Sequence, residues 1–225
     1  MKKLKLGNRI ILGILVAITF ACNSKTSNGS RVEMLPFYGD ASFTPQWIAA
    51  DSPDLNDFHQ IPDFNLLNQE GSAITASTFE NKIYVTDFFF TACPGICPKM
   101  TKHMGILHDE FLKDDDVMLL SHSVTPERDS VPVLKEYADE RAIDSNKWHL
   151  VTGDRAEIYT LGRHHYFVEE DMGLESSVDE FLHTENFILV DQNKHIRGIY
   201  NGLNLTSINQ LIEDIKTLKK ESKNI

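Results

Sequence analysis

Residues 83–90 read IYVTDFFF, an almost unbroken apolar run of β-forming residues with one aspartate in it. A strand of that kind has no wet face, so it belongs inside a sheet that is covered on both sides. It runs straight into TACPGICPKM, residues 91–100, which hold Cys93 and Cys97, two of the three cysteines in the 225-residue chain. A proline follows each cysteine, and Pro98 suits the first position of a helix extending to about Phe111.

The rest of the chain alternates in the same way. FNLLNQEGSAIT predicts a hairpin turning at Glu70-Gly71. VMLLSHSV (117–124) predicts the next strand, and Ser130 to Arg141 a helix capped by Asp129 or Ser130. WHLVTG is a short strand, and Asp154 is placed to cap the helix AEIYTLGRHHY. FILVD (187–191) and HIRGIY (195–200) form a hairpin across Gln192-Asn193, and Ser207 to about Lys220 an amphipathic helix. Strand, helix, strand, helix, then hairpin and helix implies an α/β fold, a central mixed sheet with helices on both faces. The cysteine pair then lies where a buried strand meets its helix, the thioredoxin-like position for reactive thiols.

The N-terminus reads as an export signal. MKKLKLGNR leads into the apolar run IILGILVAITFA, of signal-peptide rather than membrane-spanning length. It ends in TFAC at Cys22. A small residue before the first cysteine after an apolar core resembles the lipobox of bacterial lipoproteins, whose cysteine is lipidated and becomes the mature N-terminus. Thr19 stands where those proteins more often have leucine. The expected organisation is a lipoprotein-type signal peptide over 1–22, a tether over 23–58 with the apolar anchors LPFYG and FTPQWI, and one domain over 59–225. That domain is expected to be extracytoplasmic, at the periplasmic face, held to the membrane by lipid on Cys22. Removing the four basic residues before Cys22 takes the net charge from −11 to −15, which argues against a nucleic-acid partner.

With Cys22 lipidated, Cys93 and Cys97 are the free thiols of an oxidising compartment. A disulfide across so short a loop removes little unfolded-state entropy and makes a poor structural staple. Cys97 lies at a helix start, where unpaired N–H groups and the helix dipole favour thiolate. Thiolate is at once the better ligand and the better nucleophile. A CxxC spacing suits rapid exchange, whereas a third intervening residue with Gly95 in the middle lets two thiolates converge on one ion. Two thiolates with an imidazole suit copper. Of the nine histidines, His103 and His108 lie on the helix after the pair and point away from its mouth. His164 and His165 end a helix. His183, in EFLHTENFILVD, precedes a core strand, in a loop that comes back to face the cysteine loop in a thioredoxin-like layout.

Three segments in order, FFFTACPGICPKM, SHSVTPERDSVPVLKEYADE and FLHTENFILVDQNKHIRGIYNG, resemble the Sco/SenC family of copper-binding, thioredoxin-fold proteins, which serve assembly of the CuA centre of cytochrome c oxidase. The similarity covers about residues 59–215, with IPDFNLLNQEG as the opening strand. The resemblance implies that Cys93, Cys97 and His183 bind copper, Cu(I) first and Cu(II) second, and that the same thiols take part in disulfide exchange. It implies the CuA-bearing oxidase subunit as partner, and beside it other periplasmic copper or thiol-redox proteins. Asp87 falls where the family often carries a polar residue near the site. Two positions depart from the pattern. Gly95 stands where many members have aspartate, and Thr125 replaces the common aspartate before proline, putting a local hydrogen bond in doubt.

On this reading the chain is a metallochaperone rather than an ordinary enzyme. The alternative is a dedicated thiol–disulfide oxidoreductase acting on the target's copper-ligand cysteines. General reductases place a cis-proline before the strand facing the site, and here the prolines end at Pro132. A peroxiredoxin would need a threonine three before its cysteine, whereas Thr91 is two before Cys93. Zinc also suits two cysteines and a histidine, but the fourth protein ligand is missing.

Overall fold

The computed structural model describes Ser30 and residues 32–169, 181–182 and 184–222. At its centre is β3 (Ile83–Phe89), buried at all seven positions, as an apolar run between two helical layers has to be. It pairs in parallel with β4 (Val117–Ser123) and antiparallel with β6 (Asn186–Val190). Beyond β4 lie the parallel strand β5 (Trp148–Thr152) and the antiparallel hairpin of β1 (Asn65–Asn68) and β2 (Ala73–Thr75). Beyond β6, β7 (Ile196–Asn201) forms the other edge, giving the order β2-β1-β5-β4-β3-β6-β7. The helices are α1 (Cys97–Phe111), α2 (Val131–Glu140), α3 (Arg155–Thr160, continued by a π-helical turn over Leu161–His165) and α4 (Leu205–Glu221).

Alternation along β3 decides which layer each side chain joins. Ile83, Val85 and Phe89 enter a core with Met100, Met104 and Leu107 of α1, Tyr137 of α2 and Leu211 and Ile215 of α4. Tyr84 and Phe88 enter a second core with Ile158 and Tyr159 of α3 and with Tyr166. This is the expected mixed sheet with helices on both faces.

Element ends lie within about two residues of expectation, and local chemistry explains the offsets. The first hairpin turns through Gly71 at φ +74°, a conformation that glycine adopts without strain. Helix α4 starts two residues early because the Asn204 side chain accepts from the Thr206 N–H and caps it there.

The segment expected to be a tether is, from Val32 onward, partly laid against the domain. Leu35 and Phe37 of the first anchor are buried, and Tyr38 bridges to Ile196 at the edge of the sheet. Arg197 of β7 makes that edge receptive. Its guanidinium donates to the carbonyls of Leu35 (2.7 Å) and Pro36 (3.1 Å), pairs with Asp191 (3.1 Å) and Glu221 (2.7 Å), and lies 3.9 Å from the centre of the Phe37 ring. The second anchor behaves differently, since Trp47 is 58% exposed.

Removing one member of a buried charge network leaves the others desolvated and unpaired, which costs about 3–5 kcal/mol. Arg197→Met should therefore lower unfolding stability in urea by about that much. Limited proteolysis of the variant should cut first within residues 32–38.

Candidate metal centre

Cys93 and Cys97 sit where β3 ends and α1 begins, on a loop closed by the Cys93 N–H donating to the Phe90 carbonyl (3.3 Å). Cys97 is buried in the α1 core, and Cys93 is half-buried at its rim. Neither cysteine is paired in a disulfide.

The two thiols are electrostatically unequal. Burial pushes Cys93 up, but hydrogen bonds from the Cys97 thiol and from the backbone N–H groups of Cys97, Gly95 and Ile96 outweigh it, so its pKa is lowered. Cys97 is pushed up to about 12, first by burial, then by its hydrogen bond to Cys93, with the charges of Cys93 and Asp87 adding to the effect. The expectation that the helix start favours thiolate at Cys97 is thus corrected. The first N–H groups of α1 and its approach loop point at the sulfur of the preceding cysteine, and Cys97 itself is turned into the core. Cys93 is therefore the readier of the two to ionise, and Cys97 the one that keeps its proton.

Under this pair, Asp87 is buried in the layer that holds Cys97. The Ser121 hydroxyl donates to it (2.5 Å), and the Trp148 indole N–H donates to Ser121 (2.8 Å). Burial raises the Asp87 pKa to about 7, against the lowering effect of the Ser121 hydrogen bond. The central strand therefore carries a proton-exchanging carboxyl beneath the thiols, at the position the sequence comparison with the family singled out.

His183 lies outside the described residues, as does Cys22, so neither has a place in this geometry. The residues on either side of 183 are described. Phe181 packs edge-on against Phe90, three residues before Cys93, with ring centres 5.3 Å apart. Thr184 donates to the Val168 carbonyl (2.7 Å), and Gly202 donates to the Glu185 carbonyl (2.7 Å). That stretch of chain therefore reaches the cysteine loop. Among the described residues, no group of three or more His, Cys, Asp or Glu side chains converges as a metal site.

Several of the other histidines have structural partners. His103 donates through Nδ1 to the Gly202 carbonyl (2.6 Å), tying α1 to the turn between β7 and α4. His108 Nε2 accepts from the Asp144 N–H (3.3 Å). His165 does not simply end its helix in water: it stacks on His59, whose Nε2–H donates to the His165 carbonyl (2.8 Å). His122 lies on the opposite face of the sheet from Asp87, stacked on Phe88, with Nε2 unpartnered. Burial lowers its pKa to about 3. Sequence reasoning did not single out His122, because SHS within an apolar run carries no signal beyond strand alternation.

The sequence model of the SCO1/SenC family matches residues 53–220. The chain belongs to the SCO1/SenC family. A SCO1 protein homolog from Bacillus subtilis (strain 168) is 29% identical over 163 residues, covering 71% of this chain and 82% of that protein. Among solved structures, BsSco is described as carrying a disulfide switch and as a member of the Sco family of cytochrome c oxidase assembly proteins. It superposes with a TM-score of 0.57 at 26% identity, over 71% of this chain and 93% of that one. A SCO1/SenC family lipoprotein from Bacillus anthracis gives a TM-score of 0.59 at 27% identity, over 72% and 95%. Arabidopsis thaliana ScoI with copper bound shares the fold, with a TM-score of 0.55 at 24% identity over 71% and 98%. The thioredoxin-like Sco fold therefore carries the cysteine pair of this chain.

Two outcomes follow. In the reduced protein at neutral pH, iodoacetamide should modify Cys93 well before Cys97, as peptide mass spectrometry would show; equal rates would contradict the assigned order of ionisation. His122, with a folded pKa below its unfolded value, binds a proton only on unfolding, so its contribution to stability is present above pH 6.5 and is lost as pH falls towards about 3. Between pH 7 and 5 this amounts to about 2 kcal/mol. His122→Phe should flatten the acid limb of the stability curve by that amount.

Proposed function

We propose that this chain is an extracytoplasmic copper metallochaperone, holding copper through Cys93, Cys97 and His183 for maturation of the CuA site of cytochrome c oxidase. The observation that carries the reading is the pair of free cysteines, one half-buried and one buried, at the end of a rigid central strand. The donor set fits the metal. Two soft sulfur donors suit Cu(I), and an imidazole is compatible with Cu(I) and Cu(II) alike. Phe181 against Phe90 supports His183 as the third donor, because it places the flank of that residue beside the cysteine loop. Membership of the SCO1/SenC family, and the similarity to BsSco, a member of the Sco family of cytochrome c oxidase assembly proteins, support the same role.

The chain's own residues prepare the site. Backbone N–H groups of residues 95–97 favour ionisation of Cys93 before metal arrives. Cys97 must lose its proton for both sulfurs to bind, and Asp87, whose pKa lies near 7, is the carboxyl beneath it that exchanges protons in the neutral range. Exposure of Cys93 leaves one side of the site open to an incoming ligand from the partner. The partner is the CuA-bearing oxidase subunit, with other periplasmic copper or thiol-redox proteins as further candidates. Anchoring by lipid on Cys22, and the division into signal peptide (1–22), tether (23–58) and domain (59–225), belong to the same proposal. Among the described residues no helix is long and apolar enough to cross a membrane.

A second reading has its own support. A half-buried cysteine of lowered pKa beside a buried thiol is the arrangement that suits thiol–disulfide exchange. The Cys93 thiolate would attack a disulfide of the target, forming a mixed disulfide and releasing one target thiolate. Cys97, deprotonated, would then displace the second target thiol, leaving a reduced target and a Cys93–Cys97 disulfide. That disulfide lacks both soft donors, so copper loading and reduction of the pair are linked in either reading.

Anaerobic competition of reduced residues 31–225 against a Cu(I) chelator separates the two. One copper per chain, weakened by an order of magnitude or more (about 1.4 kcal/mol) in Cys93→Ser, Cys97→Ser and His183→Ala, is the expected result. Weak binding indifferent to His183, with a readily reduced disulfide, would establish the exchange reading instead.

A further inference from the structure

Asp129 stands one residue before the first turn of α2, where its sequence context marks it as a cap. The structure gives the N-cap position to Ser130, which makes no side-chain cap bond, and turns the Asp129 carboxylate the other way. It is buried, with 1% of its surface exposed. Its oxygens accept from the Thr91 hydroxyl (2.6 Å), the Thr91 backbone N–H (3.2 Å), the Ser123 hydroxyl (2.6 Å) and the Thr125 hydroxyl (3.1 Å). Four donors match the acceptor capacity of one carboxylate. Thr91 alone makes two of the four contacts, one from its backbone and one from its side chain, and Thr91 lies two residues before Cys93. Between them the chain closes through the Cys93 N–H bond to Phe90. Among the described residues, Asp129 is the side-chain hydrogen-bond anchor of the first half of the cysteine loop, whereas the second half is held by α1.

From this geometry we infer that Asp129 is the positioning residue of the cysteine loop: through Thr91 it fixes where the Cys93 sulfur sits relative to Cys97. The inference deepens the proposed role of the pair, and it rests on the pair acting together, whether on metal or on a disulfide. Two groups held in a productive arrangement react or bind with a high effective concentration, and loosening one of them lowers it. Releasing Thr91 should therefore disfavour both things that need the sulfurs together. Closure of the disulfide is one, in which two thiols give two electrons and two protons to oxidised glutathione and form one S–S bond and two glutathione thiols. Sharing of one copper ion is the other. Thr125, at the position where the family commonly has aspartate, contributes a hydroxyl donor to this carboxylate. An aspartate there would bring a second carboxylate against it, so the departure from the family pattern is matched to the hub.

The test measures the glutathione equilibrium constant of the Cys93–Cys97 pair, metal-free, on folded protein, alongside the Cu(I) competition and the thermal midpoint. Thr91→Val keeps the size of the side chain and removes only its hydroxyl contact. Asp129→Ala removes the whole hub, and Asp129→Asn keeps its shape and, with the hydroxyls turned, its bonds to Thr91. We expect the equilibrium constant to fall by about tenfold in Thr91→Val and further in Asp129→Ala, to recover largely in Asp129→Asn, and to stay within about twofold in Thr125→Ala. An unchanged equilibrium constant in Thr91→Val overturns the inference, whatever happens to the thermal midpoint and whether or not Asp129→Ala folds. Loss of copper binding in the parent protein, with the glutathione series behaving as expected, would instead remove the metallochaperone reading and leave the positioning role intact.

Discussion

Complete burial of β3 is the constraint on which the site depends. A strand wrapped on both faces cannot shift along its axis without dragging seven buried side chains to new places, so the position of its last residue is set by the whole core. The cysteine loop begins at that fixed end. On the other side it runs into α1, whose Met100, Met104 and Leu107 are locked into the same core. A short loop between two such ends has few conformations left, and that is how a flexible sequence containing Pro94 and Gly95 comes to hold two cysteines in place.

The inequality of the thiols follows from the same arrangement. Because α1 starts at Cys97, the N–H groups left without helical partners are those of the loop and first turn, and they surround the sulfur that lies before the helix. Cys97, one helical position inside, is carried into the core by the turn of the helix. Burial then works on it without compensation from the helix start. The asymmetry is therefore a product of spacing: one cysteine before the helix, one within it.

Much of this was legible in the chain, and what was not had specific causes. Strand β3 and helix α1 could be read because an unbroken apolar run and a proline after the second cysteine admit few alternatives. The hairpin at Gly71, the Asp154 cap and the final helix each carry a short-range signal that the structure honours, with Asp154 accepting from Glu157 as a cap should. The lowered proton affinity was expected at Cys97 and falls on Cys93, since a dipole argument from helix position does not say where the sulfur points. Asp129 and Ser130 were both read as candidate caps, because Asp followed by Ser before a proline-led helix looks the same whichever of them takes the position; Ser130 takes it. Only the approach of Thr91, thirty-eight residues away in sequence, distinguishes a carboxylate that serves a helix from one that serves a loop. The clasp of Leu35 and Phe37 by Arg197 was invisible for a related reason: the apolar anchors announce that the segment will dock, and nothing local says on what.

The two buried carboxylates near the cysteines differ in a way that separates their work. Asp129 is met by four donors, so it acts as a fixed acceptor that holds chain. Asp87 has the Ser121 hydroxyl as its side-chain donor and lies under the thiols in a dry core, which lifts its pKa to about 7. The number of donors each carboxylate receives thus sorts one into architecture and the other into chemistry. Asp87 is carried by the rigid strand β3, whereas Cys93 lies on the loop that follows it, so the carboxyl stays fixed in the core while the rim of the site meets a partner.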